Sequence, residues 1–74
     1  MLMPLDLSRL GVGESTFVPS LRTTRVLGDA NRQAVNLRLS ISYRLTVVDG
    51  KYGVLLTRQA KGPAGLINED RKAS

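Results

Sequence analysis

The sequence contains no cysteine, no histidine and no tryptophan. Lack of cysteine excludes disulfides, thiolate zinc sites and sulfur nucleophiles, and lack of histidine removes the commonest general base and metal ligand. Aromatic residues are limited to Phe17, Tyr43 and Tyr52. All three are expected to face the core, which argues against a stacking platform for single-stranded nucleic acid. No stretch approaches the roughly 20 apolar residues needed to span a bilayer. The first residues lack a basic leader, and Pro4 and Asp6 interrupt their apolar character, so neither a signal peptide nor a membrane anchor is expected. A reducing, cytoplasmic setting fits the missing cysteine. A chain of 74 residues buries only about 60% of its unfolded surface, so one small domain must rest on packing alone or on a second copy of itself. A homo-oligomer, most simply a homodimer, is the expectation.

What is abundant is positive charge. Eleven Lys and Arg stand against six Asp and Glu, a formal +5. The excess is concentrated between residues 21 and 61, where Arg22, Arg25, Arg32, Arg38, Arg44, Lys51, Arg58 and Lys61 face only Asp29 and Asp49, a net +6. Arginine dominates lysine, eight to three, and its planar fork suits phosphate and base edges.

The strongest periodicity runs from Leu37 to Val47, where Leu37, Leu39, Ile41, Tyr43, Leu45 and Val47 alternate with polar residues. Period 2 defines a strand with one buried and one wet face. Asp49-Gly50 follows, a pair suited to a type I′ hairpin turn, and Tyr52–Gln59 folds back antiparallel. With those two as the loop residues, Leu45 faces Val54, Tyr43 faces Leu56 and Val47 faces Tyr52, while Arg38, Arg44, Lys51 and Thr57 share the opposite face. A longer loop through Gly53 would shift the register and invert the second strand.

Upstream, Pro19-Ser20 marks a helix start, with Ser20 as cap. From Leu21 to about Val35, Val26, Leu27, Ala30 and Ala34 fall on one side and Arg22, Arg25, Asp29 and Arg32 on the other. Gly13–Val18 reads as a short strand that Pro19 confines to an edge or ends. The fold class is therefore α+β, a β-α-β-β domain over residues 11–60 whose helix lies across the hairpin. Residues 1–10 form an N-terminal arm and residues 61–74 a flexible tail.

Chemistry finds little footing. The carboxylates are explained by turns, a helix surface and the tail, and no base stands ready to activate a hydroxyl, so an enzyme is not expected. No cofactor or metal is expected either: Gly11-Val12-Gly13 lacks the rest of a phosphate loop, and no acidic cluster has calcium-loop spacing. The arginines remain, and Arg22, Arg25, Arg32, Arg38, Arg44, Lys51 and Arg58 are the candidate nucleic-acid contacts. A two-stranded ribbon with an Arg/Ser/Thr outer face fits a major groove, and the helix could serve through Arg22 and Arg25. The competing expectations are a module docking on a host protein by its sheet edge or helix, and charged faces that serve solubility alone.

Val12-Gly13-Glu14-Ser15-Thr16-Phe17-Val18-Pro19, the Asp49-Gly50 turn and Val54-Leu55-Leu56-Thr57-Arg58 together resemble a family of small bacteriophage and prophage proteins. In that family a V-G-[DE]-S-F-F-V-P strand, a helix and an Arg-bearing hairpin closing in Val-Trp-Arg follow in this order. Here Thr16 stands at the first aromatic position, and Leu-Leu-Thr where Val-Trp is usual. The resemblance implies a phage-type accessory protein acting on DNA or on a host protein machine.

Overall fold

A computed structural model describes residues 5–69. A single 3-10 turn, Leu7–Arg9, precedes strand β1 (Ser15–Pro19), helix α1 (Thr23–Leu37) and strands β2 (Ser40–Val48), β3 (Lys51–Gln59) and β4 (Gly65–Asn68). The strands form one mixed sheet ordered β1-β3-β2-β4, with β1 and β2 antiparallel to β3 and β4 parallel to β2. The α+β architecture is as expected, with one strand more.

The hairpin takes the two-residue loop. Asp49 and Gly50 both have positive φ, 53° and 77°, as a type I′ turn requires. Val48 pairs with Lys51, Val47 with Tyr52, Leu45 with Val54 and Tyr43 with Leu56. This register puts Ile41, Val54 and Leu56 on the face that α1 covers, where all three are fully buried. From the helix come Ala30 and Ala34, also fully buried, with Val26 and Leu27 packed beside them. Two alanines at the crossing let the helix axis approach the sheet closely, so the core is thin.

Three boundaries of the helix and hairpin differ from the sequence reading. The helix begins at Thr23, because Ser20 is tied into the sheet through its amide to the Tyr52 carbonyl at 2.9 Å. Its hydroxyl still accepts from the Arg22 amide at 3.0 Å. At the other end α1 runs through Leu37 and stops on Arg38, which adopts the left-handed conformation (φ 58°, ψ 43°) and donates its amide to the carbonyls of Ala34 and Val35. Leu37 and Leu39 therefore belong to the helix end and its cap, and the strand starts at Ser40.

The tail expected from residue 61 is not irregular throughout. Gly65–Asn68 forms β4, whose Gly65 amide donates to Leu39 O at 2.9 Å and whose Leu66 amide donates to Asn31 Oδ1 at 3.1 Å. The rest of that expectation, from residue 70, lies outside the described residues. The described part of the arm, residues 5–10, is likewise part of the core, with Leu7 fully buried and Leu10 buried, while residues 1–4 lie outside the described residues. Gln33 clamps it, accepting from Leu7 N at 3.0 Å and donating to Leu5 O at 2.6 Å.

The second face of the sheet has no helix over it. Pairing places Phe17, Leu55 and Arg44 in one row there, and Ser15, Thr57, Ser42 and Ile67 in the next. Phe17 is thus turned away from α1, contrary to expectation, because the alternation of β1 gives the core side to Thr16 and Val18. Tyr52 lies on the helix side but is exposed, since α1 does not reach the hairpin tip.

Candidate nucleic-acid interface

The outer face of α1 gathers the largest group of cations. Spacings of three, four and three put Arg22, Arg25, Asp29 and Arg32 on one stripe, and all three arginines are exposed. Arg32 reaches Asp29 with Nη2–Oδ1 at 2.7 Å. Asp29 is the single carboxylate of this stripe, so one arginine charge is balanced and two are not. The first turn holds no acidic residue, and the N-cap position, Arg22, supplies no side-chain cap. The positive end of the helix dipole therefore adds to Arg22 and Arg25 in place of being neutralised.

Beside this stripe lies an open cleft of about 840 Å³ between the first half of α1 and β1. Arg22, Arg25 and Arg32 line it together with Leu5, Val18 and Val26. Leu5 and Val18 were not singled out from the sequence, and only the fold brings them beside the arginines.

The other sequence candidates are dispersed. Arg44 and Lys51 are exposed on the uncovered face of the sheet, with the sheet between them and α1. Arg38 does not share the hairpin's outer face: it caps α1 at the end farthest from Arg22. Nor does Arg58. It pairs with Ile41 on the helix side, is half-buried, and donates from Nη1 to Leu10 O at 2.8 Å, which secures the arm.

The ribbon is also not free to enter a groove along its length. β1 flanks β3 and β4 flanks β2, and four strands at about 4.8 Å spacing exceed the ~12 Å width of a major groove. Gly11-Val12-Gly13 forms an ordinary turn, in which Glu14 Oε1 accepts from Gly11 N at 2.6 Å. Among the described residues no group of three or more carboxylates could hold a metal ion, and no helix is long and apolar enough to cross a membrane.

Compared with protein-family models, with curated proteins and with solved structures, the chain has no match.

Proposed function

We propose that this is a small, basic, non-enzymatic DNA-binding accessory or regulatory protein of phage type, acting in the cytoplasm of a host cell. The reading is carried by one observation: Arg22, Arg25 and Arg32 form a single exposed stripe with one carboxylate among them. Phosphates would lie along this stripe, with Arg22 and Arg25 beside the positive end of α1 and Arg32 released from Asp29 or sharing it. Contacts of this kind position a protein on a duplex without reading its sequence. Three phosphates neutralised should give a log–log salt slope of about −3.

Fluorescence anisotropy of a labelled duplex, titrated with the protein at low and at physiological salt, tests the proposal. Binding that collapses with salt along that slope is the expected result. Absence of binding at low salt would leave the arginines as solubility or docking residues. The second reading, a module that docks on a host protein, draws on β1, which is an edge strand of the sheet formed by the described residues. Such docking would change little with salt.

A further inference from the structure

Among the described residues the core holds seven buried apolar residues, two of them alanines, while nine large apolar residues are exposed. Three of the nine are contiguous by register. Leu45, Val47 and Tyr52 occupy one face of the hairpin tip, 39%, 58% and 40% exposed: Leu45 stands beside the fully buried Val54, and Val47 and Tyr52 make up the row beyond it. β4 ends opposite Tyr43, before both rows, and β1 ends opposite Gly53, between them, so Val18 adjoins only the first. Leu21, 88% exposed, follows directly on Ser20, whose amide donates to Tyr52 O.

We infer that this apolar tip is the contact between two copies of the chain. Leu45, Val47 and Tyr52 expose on the order of 250 Å², about a third of the ~800 Å² each partner gives to a standard interface. They would form its apolar centre, with residues of the turn and the helix start as rim. Alternation turns Arg44 and Lys51 to the opposite face, so no cation stands in the centre when two tips meet. One patch meeting its own copy is a closed two-fold contact, which needs no second complementary surface. It would also extend a core that a chain of this length cannot enlarge alone.

Sedimentation equilibrium on the full chain, at low and high salt, tests the inference. A dimer is expected, and its association should hold or strengthen with salt because each copy carries +5. DNA binding would weaken over the same range, so the two proposals fail separately. Val47→Lys should weaken association on the order of 100-fold by placing a charge in the centre, whereas Ala60→Lys, the same charge on an exposed loop, should leave it unchanged. Since the chain has no cysteine, Val47→Cys gives a second readout, rapid oxidation to a disulfide-linked pair. A monomer at all concentrations, an open-ended assembly, or a dimer indifferent to Val47→Lys would each overturn the inference.

Discussion

Replacing Gly53 by alanine should detach the edge strand β1. Gly53 is buried between Pro19 of β1 and Thr46 of β2 in the ladder. An added methyl would overlap the Val18 carbonyl oxygen and lie 2.7 Å from Pro19 Cα and 2.9 Å from Phe17 Cζ. The two nearest atoms are backbone, so no rotamer change relieves them. Ordinary carbon contacts need about 3.5–4.0 Å, so β1 would have to retreat by roughly 1 Å. Overpacking costs about 1–3 kcal/mol, and a strained or lost ladder bond, such as Ser20 N to Tyr52 O, adds about 1 kcal/mol.

The expected loss is therefore about 2–4 kcal/mol, read as a lower urea midpoint. Gly28→Ala is the internal comparison. Gly28 is exposed on α1 with nothing within 4 Å of the added carbon. There alanine should stabilise by up to about 1 kcal/mol and raise the melting temperature by about 4–8 °C. Equal stability of Gly53→Ala and the parent chain would refute the close approach of β1 and β3. A loss at Gly28 would show that the helix is constrained by something other than its own backbone.

Two further perturbations address the arm. The Ser8 hydroxyl and then the Ser8 amide hold the Asp6 carboxyl below the ordinary aspartate value; Arg9 assists and burial opposes. A depressed folded value means that Asp6 supports the 3-10 turn above its unfolded value and loses that support as pH falls through the folded one. Ser8→Ala should bring the Asp6 midpoint back up in a carboxyl NMR titration, and an unmoved midpoint would contradict the assignment. Arg58→Met keeps an apolar stem but removes the donor to Leu10 O. It should cost about 1–2 kcal/mol and speed amide exchange at Leu7 and Leu10. If exchange is unchanged and duplex affinity falls steeply, Arg58 contacts phosphate and does not secure the arm.

The hairpin was legible because two independent signals agreed: period 2 from Ile41 to Val47, and an Asp-Gly pair able to take positive φ at both turn residues. The buried helix stripe was legible for the same reason, with Ala30 and Ala34 at the spacing of one helical turn. The end of α1 was not, because Leu37 continues the strand alternation and also falls three residues after Ala34, so both periods claim it. The left-handed Arg38 breaks the tie, and no glycine announces it. β4 is too short to display a period and is fixed by remote partners, Asn31 and Leu39. Leu7 and Leu10 likewise become core only because Gln33 and Arg58 hold the arm down.

Of the candidate site, the helix stripe followed directly from spacing. Arg58 could have been separated from it by parity, since it shares the odd-even phase of Val54 and Leu56 and so points to the core side. Its residue type suggested the surface. What spacing could not supply is the partition of the cations by the sheet, with Arg22, Arg25 and Arg32 on one side and Arg44 and Lys51 on the other.

That partition gives the most direct test of the helix face as the DNA-contacting surface. Arg22→Ala with Arg25→Ala and Arg44→Ala with Lys51→Ala each remove two positive charges, from opposite faces of the sheet. The measurement is the salt slope of duplex binding for both double variants beside the parent chain. The helix pair should lower the slope by about 2 and weaken binding strongly, while the sheet pair leaves the slope near its original value. Equal losses from the two pairs would mean that net charge alone drives binding, and a larger loss from the sheet pair would place the interface on the other face.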